Sequence, residues 1–252
     1  MVTITDATDA ALTKAFFGQW AIYAEVLNRD YMQHRGIEAV LRSAAGASVS
    51  RSLRLLDLGC GDARIISGAF GPGRLAAYTG IDLSPIALRQ AADHLAGVVP
   101  ADRCKLIEGH FSDFLTSSKP GSFDAVLIGY ALHHLSEADK YAFFKACART
   151  LADDGRIWLY DVFRRPHESR ADYLSAYRDL FTSRWTALPA DAVRDINAHI
   201  ESSDFPETQQ AIIAMASAAG FVANDGPLFA DPHGIHCLFQ FDRTINTAGR
   251  TG

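Results

Sequence analysis

The chain has 252 residues, 48% of them hydrophobic and 21% charged, which is enough for one large domain, or one domain with an appendage, to bury a sizeable core. A formal net charge of −5 without any basic block disfavours a dedicated nucleic-acid binder. No apolar run approaches a membrane span and the first ten residues carry no export signal, so we expect a cytoplasmic protein. The four cysteines lack the paired spacing of a zinc site or a disulfide framework.

Short β-rich runs alternate with helical patterns after residue 50. The spacing predicts strands at 53–58, 77–82, 105–108, 125–130 and 156–161, separated by helices near 62–70, 84–97, 112–117 and 136–151. This alternation predicts a parallel sheet with right-handed crossovers and helices on both faces. We therefore expect an α/β fold built on a doubly wound, mostly parallel sheet of seven strands.

Helical patterns flank this core on both sides. Residues 8–45 read as amphipathic helix with a break near Gly36, residues 168–203 read as helical, and a helix closed by Gly220 precedes two β runs that form a C-terminal antiparallel hairpin. The predicted division is an N-terminal helical cap (1–50), a binding core (51–163), a helical insert or lid (164–205), a C-terminal helix with strands that complete the core (206–244) and a flexible tail (245–252).

Two glycines follow the first predicted strand, in the stretch LLDLGCGDAR at residues 55–64. Gly59 and Gly61 have no Cβ atoms, so they allow a tight turn and let a ligand approach the backbone. Asp82 ends the second predicted strand, near the roughly 20-residue offset at which an acid receives ribose hydroxyls. A glycine pair alone is weak evidence, with a plain strand-to-helix turn as the alternative, but together with Asp82 it predicts a nucleoside site.

The same turn disfavours two common cofactor classes. A dinucleotide fingerprint requires a third glycine, and that position is Arg64. The chain also lacks the G-x-x-x-x-G-K-[ST] loop that cradles a triphosphate. We therefore expect a nucleoside ligand that carries no pyrophosphate.

Four ordered motifs carry a family resemblance. LLDLGCGDAR, YTGIDLS, FDAVLIGYALHHL and LADDGRIWLYD resemble the successive motifs of class I S-adenosylmethionine-dependent methyltransferases. The resemblance covers residues 53–161 and extends more loosely to the C-terminal hairpin. It implies a Rossmann-like fold, S-adenosylmethionine as cofactor and S-adenosylhomocysteine as product.

The resemblance also implies which residues contact the cofactor. The acid and glycines after the first strand would line the methionine and ribose end, Asp82 would hold the ribose hydroxyls and Leu83 would pack on the adenine. Where the family often has an acid next to the adenine, this chain has His110, so Phe111 is expected to stack and Ser112 or Asp113 to accept the hydrogen bond. The full predicted cofactor set is Asp57, Gly59, Cys60, Gly61, Asp82, Leu83, His110, Phe111, Ser112, Gly129 and Tyr130.

Candidates for a proton-accepting group lie at the ends of the fourth and fifth predicted strands. His133 and His134 follow the fourth strand, and the unperturbed pKa of histidine suits a base near neutrality. Asp161 ends the fifth strand. These three residues are the predicted catalytic residues, with the alternative that the histidines only orient their loop and Asp161 only caps the next one.

The acceptor is expected under the helices that the core motifs leave unexplained. A lid of this size favours a small molecule that can be enclosed over a long polymer. The predicted acceptor contacts are Tyr23, Tyr31, His34, Arg35, Arg164 and Trp185, with His233 and His236 as further candidates at the rim. Aromatic residues at near-helical spacing are more often ordinary core than substrate contacts, and no ligand constellation predicts a metal.

Three functions remain open from the sequence. The favoured one is a methyltransferase for an O or N nucleophile of a small molecule. The others are a tRNA or protein methyltransferase, which the net charge disfavours, and a non-catalytic S-adenosylmethionine-binding protein, which would not need the histidine pair. The acceptor and the oligomeric state are open, a homodimer included.

Overall fold

The computed structural model describes residues 20–47 and 51–244. The predictions for residues 1–19, which include the beginning of the N-terminal helix, and for the tail at 245–252 lie outside the described residues. Within the described part of the chain, none of the helices combines the length and the apolar character needed to cross a membrane.

One mixed sheet forms the centre of the protein. Its strands in chain order are β1 (Leu53–Leu58), β2 (Leu75–Asp82), β3 (Cys104–Glu108), β4 (Phe123–Gly129), β5 (Leu151–Val162), β6 (Phe221–Ala223), β7 (Phe229–Ala230) and β8 (His236–Arg243). The spatial order is β3-β2-β1-β4-β5-β8-β6. Strands β1 to β5 are parallel and β8 pairs antiparallel with β5, which confirms the predicted mostly parallel sheet with an antiparallel C-terminal strand.

The number of strands differs from the prediction at the C-terminal edge. The first of the two predicted β runs divides into β6 and the two-residue β7, which pair with different parts of β8. The described sheet therefore has eight strands in seven positions. A turn at Asn224–Gly226, with Gly226 at φ +129°, separates the two pieces.

The helices cover both faces of this sheet. They are α1 (Trp20–Asn28), α2 (His34–Ala47), α3 (Arg64–Ala69), α4 (Pro85–Leu95), α5 (Phe111–Ser117), α6 (Glu137–Thr150), α7 (Arg170–Arg184), α8 (Ala190–Ser203) and α9 (Gln209–Ala218). Short 3₁₀ turns precede β3 at Ala101–Arg103 and follow β4 at Leu132–His134. The boundaries of α3 to α6 lie within two residues of the predicted ones.

Alternate residues of each parallel strand enter different apolar cores, as the period of two in a strand requires. In β1, Leu56 and Leu58 belong to the core that includes residues of α5, α6 and α9. Leu53 and Leu55 belong to the opposite core, with residues of α2, α3 and α4. Burial on both faces explains why the strands read as continuous apolar runs, and it establishes the doubly wound fold.

A third apolar cluster joins helices that are far apart in the chain. It contains Val26 from α1, Tyr177 and Phe181 from α7 and Ile196 from α8, together with Val162, the last residue of β5. These three helices therefore pack on one another and on the carboxyl end of the central sheet.

The predicted helix break at Gly36 is wrong. Gly36 lies inside α2, and the break falls at residues 29–33, where Asp30 and Gln33 take positive φ angles of 56° and 61°. The Asp30 carboxylate also accepts the Arg35 N–H at 3.0 Å, which supports the start of the next helix. A Cβ at Gly36 would lie 2.6 Å from the Phe229 ring, so glycine serves close packing there.

The fifth strand is longer than predicted. β5 begins at Leu151 and not at residue 156, because Leu151 pairs with Phe123 before the register shifts and regular pairing resumes at Ala125 with Arg156. The polar and glycine-containing stretch at 152–155 hid this early pairing from the sequence pattern.

Candidate active site

A cavity of about 660 Å³ opens at the carboxyl ends of β1, β2 and β4. All of the predicted cofactor residues except Ser112 line it, and so do residues of α1, α7 and α8. The position is the one expected for ligands of an open parallel sheet, because β1 lies between β2 and β4 where the strand order reverses.

The glycine turn forms one wall of the cavity. Gly59 and Gly61 have φ angles of 69° and 52°, in the left-handed region that glycine adopts without strain. A Cβ at Gly59 would lie 2.9 Å from the Cβ of Ala131, so a larger residue there collides with the loop after β4. The turn is held to β2 because the N–H groups of Gly59 and Cys60 both donate to the Ile81 carbonyl.

Asp82 is fixed at the mouth of this turn by two backbone hydrogen bonds. Its Oδ2 accepts the Gly61 N–H and its Oδ1 accepts the Ser84 N–H, each at 2.8 Å. Burial raises the pKa of this carboxyl, and the two N–H donors partly offset that rise. Each oxygen retains acceptor capacity, so the carboxylate can bind two adjacent hydroxyls.

Asp57 places a second carboxyl in the cavity. It is 4% exposed, and its Oδ2 accepts the Tyr78 hydroxyl at 2.8 Å. Burial raises the pKa of Asp57 to about 7, although the Tyr78 hydrogen bond acts in the opposite direction. Two partly desolvated carboxyls at neighbouring strand ends make this part of the cavity suitable for a ligand with hydroxyls and a positive charge.

The loop after β3 supplies an aromatic wall. The His110 and Phe111 rings stack at 5.0 Å between centroids and 22° between planes, and both residues line the cavity. Nδ1 of His110 accepts the Ser112 N–H at 3.3 Å and so caps α5. Ser112 itself lies outside the cavity lining, and its placement does not support the predicted adenine contact.

The end of β4 is tightly constrained. A Cβ at Gly129 would lie 1.8 Å from the Tyr160 ring, so only glycine fits beside that side chain. The next residue, Tyr130, takes φ +47°, and its hydroxyl donates to the Met32 carbonyl. This contact joins the sheet end to the segment between α1 and α2.

His133 lies between two buried carboxylates. Its Nδ1 is 2.5 Å from Oδ1 of Asp161, whose other oxygen accepts the His133 backbone N–H at 3.0 Å. Its Nε2 lies 3.6 Å from Oδ1 of Asp204. Burial alone would lower the pKa of His133, but the two carboxylates outweigh it and the net direction is upward. Both ring nitrogens therefore face acids, an arrangement that does not favour proton removal from an acceptor.

His134 differs from its neighbour in environment. Its Nδ1 lies 3.1 Å from the Ser203 carbonyl and 3.5 Å from Oδ1 of Asp204. Burial and the adjacent His133 lower its pKa well below the ordinary value, so its ring is neutral near pH 7. Burial also raises the pKa of Asp204 to about 6.

The structure separates the predicted acceptor residues into two groups. Tyr23, His34, Arg35 and Trp185 line the cavity. Tyr31 lies behind Trp185, with the two rings stacked at 5.0 Å.

Arg164 contacts protein groups on all sides. Its guanidinium donates to the carbonyls of Pro206 and Glu168 and to the Glu207 carboxylate, so its contacts are those of a structural residue. His236, another predicted candidate, is 1% exposed and hydrogen-bonded to Tyr177 and Asp231. Asp161 also lies behind the wall, with His133 between it and the cavity.

Several lining residues were not found from the sequence. They include Met32, Glu38, Asp62, Tyr160, His199 and Asp204. Of these, Asp204 lies in the SDFPE stretch that follows α8, where a buried acid between a helix end and a proline was the available signal. Asp204 lies about 70 residues after His133 in the sequence. Their contact depends on tertiary packing, which no local pattern encodes.

The central part of the chain is similar to known methyltransferases. Residues 56–157 match a family model described as a methyltransferase domain. A ubiquinone biosynthesis O-methyltransferase from Xanthomonas campestris pv. campestris (strain B100) is 37% identical over 116 residues, which are 45% of this chain and 44% of that relative. The chain thus matches less than half the length of this curated relative.

Solved structures extend the fold likeness to nearly the whole chain. A Burkholderia thailandensis 1,6-didemethyltoxoflavin-N1-methyltransferase, crystallised with its namesake compound and S-adenosylhomocysteine, gives a TM-score of 0.60 at 15% identity, covering 97% of this chain and 92% of that one. The magnesium protoporphyrin IX methyltransferase of Synechocystis PCC 6803 gives a TM-score of 0.62 at 12% identity, and the match covers 94% of this chain and 100% of that one.

Proposed function

We propose that the protein is a class I S-adenosylmethionine-dependent methyltransferase that transfers a methyl group to an oxygen or nitrogen of a small molecule, and the match of residues 56–157 to a methyltransferase-domain model supports this. The observation that carries the proposal is the placement of Asp57 and Asp82 beside the Gly59–Gly61 turn in one cavity. The O-methyltransferase name of the curated relative favours oxygen as the acceptor atom.

The described residues fit the proposed cofactor. The Asp82 carboxylate is held by two backbone N–H groups and keeps acceptor capacity for the ribose hydroxyls. Asp57 is buried and negative above pH 7, which suits the amine of the methionine end. Residues His110 and Phe111 present stacked rings for the adenine.

The chemistry requires little of the protein beyond placement. S-adenosylmethionine, when bound, supplies a methyl group made electrophilic by its sulfonium. The chain's own task is to hold an acceptor atom in line with that methyl group and to exclude water. His133, with Asp161 behind it, and His134 lie on the cavity wall and are the residues proposed to position the acceptor atom.

The acceptor is proposed to be a small aromatic molecule enclosed by helices α1, α7 and α8, which act as a lid. Tyr177, Phe181 and Trp185 line this part of the cavity together with Tyr130. Aromatic rings of this kind pack well on a planar ligand. The cavity of about 660 Å³, which would hold both the cofactor and the acceptor, has the size of a small-molecule site.

The first test is calorimetric titration of the full chain with S-adenosylmethionine, S-adenosylhomocysteine and NAD⁺. We expect micromolar binding of both adenosyl compounds and no binding of NAD⁺. Asp82→Ala should weaken S-adenosylhomocysteine binding about 100-fold, because two charge-assisted hydrogen bonds are lost. The exposed Asp93→Ala on α4 is the matched control and should bind normally.

A second assay separates the alternatives. Transfer from methyl-labelled S-adenosylmethionine is measured to a panel of small phenols, small amines, bulk tRNA and a protein extract. Labelling of a phenol or amine supports the proposal. Labelling of tRNA or protein alone would contradict the small-molecule acceptor, and adenosyl binding without any transfer would favour a non-catalytic binding protein.

A further inference from the structure

We propose that His133, His134 and Asp204 form a binding site for a divalent first-row transition cation on the wall of the large cavity. One ligand-type atom from each residue lies within 4.8 Å of the other two, and all three residues line the cavity. The role of the cation in binding the acceptor rests on the proposed function, whereas cation binding itself does not.

The distances within this trio suit a shared ion better than direct contact. Oδ1 of Asp204 lies 3.6 Å from Nε2 of His133 and 3.5 Å from Nδ1 of His134. These separations are too long for good hydrogen bonds. Nitrogen and oxygen ligands placed 2.0–2.1 Å from a tetrahedral ion lie about 3.4 Å apart, so a small cation fits between these atoms with little movement.

An unsatisfied carboxylate oxygen gives independent support. Asp204 is 3% exposed, and its Oδ1 is buried without a hydrogen-bond partner. A buried carboxylate oxygen without a partner is costly in free energy. A cation in front of Oδ1 would remove that cost, and Oδ1 is also the atom that approaches both histidines.

The ring of His133 is oriented by a second partner. Nδ1 of His133 is held by Asp161 at 2.5 Å, which turns Nε2 toward Asp204. Nδ1 of His134 faces both the Ser203 carbonyl at 3.1 Å and Oδ1 of Asp204 at 3.5 Å, so this nitrogen would exchange its contact with the carbonyl for the ion. Metal-binding histidines commonly donate one ring N–H to a carboxylate or backbone carbonyl, which fixes the tautomer and the direction of the other nitrogen.

The donor set selects the class of cation. Two imidazoles and one carboxylate suit Zn²⁺ and the neighbouring divalent ions Fe²⁺ and Co²⁺, whereas Mg²⁺ and Ca²⁺ prefer sites built from oxygen ligands. Three protein ligands leave at least one coordination position open. Because the trio lines the cavity, an acceptor in that cavity could take an open position on the ion.

The cation would bind and orient the acceptor oxygen of the proposed reaction. A hydroxyl bound to such an ion loses its proton to solvent water more readily, and the resulting oxygen is a better nucleophile. The inference therefore narrows the acceptor to an aromatic small molecule with a hydroxyl beside the aromatic wall of Tyr177, Phe181 and Trp185.

The competing arrangement is a cation-free network. In it, a protonated His133 simply bridges the carboxylates of Asp161 and Asp204 and stabilises the loops after β4 and α8. That arrangement predicts no stoichiometric affinity for transition cations, so direct binding measurements distinguish the two.

The test is titration of the chelator-treated full chain with Co²⁺, followed by visible absorption, and with Zn²⁺, followed by calorimetry. We expect one equivalent per chain and the intense visible bands of four- or five-coordinate Co²⁺, without the thiolate-to-cobalt band that cysteine ligands would give. Asp204→Asn and His134→Gln should each weaken binding at least tenfold, and Asp161→Asn should weaken it about tenfold through His133. The exposed His167→Gln is the control and should bind normally.

S-adenosylhomocysteine is titrated into the same preparations. Adenosyl binding without stoichiometric Co²⁺ or Zn²⁺ binding, or equal losses in the control, would overturn the cation site and leave the proposed function standing. Cation binding without adenosyl binding would overturn the proposed function instead. If circular dichroism shows that Asp204→Asn does not fold, His134→Gln decides, since its side chain is 21% exposed and its replacement disturbs less packing.

Discussion

The two halves of the cavity are built in different ways. The nucleoside half comes from consecutive β-α turns. Asp57 and Asp82 lie at the carboxyl ends of β1 and β2, and backbone hydrogen bonds from Gly61 and Ser84 hold Asp82 in place. The acceptor half comes from side chains of α1, α7 and α8 and of the loop at Asp204, which the chain brings together from distant segments.

This difference separates what the fold determines from what the particular chain determines. The geometry of a parallel sheet sets the positions of the residues at its strand ends. Any chain with this sheet can therefore offer the same nucleoside contacts. The acceptor half depends on packing among helices outside the sheet. We therefore expect substitutions in the two halves to affect different measured quantities.

His133→Gln should give the largest difference between the effect on kcat and the effect on cofactor affinity. Removing the imidazole between Asp161 and Asp204 should lower kcat for the acceptor found by the labelling panel about 100-fold, because a misplaced acceptor atom loses alignment with the methyl group. The affinity for S-adenosylhomocysteine should stay within about twofold, since no predicted cofactor contact changes. Equal losses in kcat and cofactor affinity would place His133 in the nucleoside half.

Cofactor binding in the nucleoside half should depend on pH. Asp57 has a pKa of about 7 in the folded chain and about 4 when unfolded, so the folded chain binds an extra proton between these values. The contribution of Asp57 to the free energy of unfolding therefore decreases as the pH rises toward 7, and it is lost above that pH. The affinity for the cationic methionine end should change in the opposite direction, increasing about tenfold from pH 6 to pH 8 as Asp57 ionises.

Calorimetry of S-adenosylhomocysteine across this range checks the prediction, with Asp57→Asn as the matched variant. The variant should bind weakly and lose the pH slope. An unchanged slope in Asp57→Asn would assign the titration to another group and remove the proposed contact between Asp57 and the methionine end.

The smallest expected effect is that of Trp185→Phe. Trp185 lines the cavity and stacks on Tyr31, so the smaller ring should lose aromatic contact of about 1 kcal/mol with the acceptor. This corresponds to an increase in KM of about fivefold with kcat and cofactor affinity nearly unchanged. A KM equal to that of the unaltered chain would mean that the acceptor does not reach Trp185.

The same division explains how much could be predicted from the sequence. Strand periodicity, the glycine turn and Asp82 are local signals, and the predicted mostly parallel sheet with helices on both faces and an antiparallel C-terminal strand is confirmed. Gly36 misled the prediction because a glycine that allows close packing against Phe229 looks the same in sequence as one that ends a helix.

The acceptor half carries weaker local signals. The sequence pointed to His133 and His134 but not to Asp204, whose position depends on where the chain returns after α8. Lys140 illustrates the reason, because its buried ammonium donates to the Phe205 carbonyl and thereby fixes the loop next to Asp204. Contacts between segments this far apart depend on tertiary packing, which short-range patterns do not encode.

The segment that contains α7 and α8 begins and ends at neighbouring positions on the core. The Arg164 N–H donates to the Glu207 carbonyl at 2.9 Å, its guanidinium reaches the Pro206 carbonyl, and Arg164 forms a bridge with Thr208. The 42 or so intervening residues are thus a closed loop clamped at its base, and changing the length of such a loop costs little entropy. Grafting a different helical pair onto this base is accordingly a route to new acceptors that leaves the sheet and its nucleoside contacts in place.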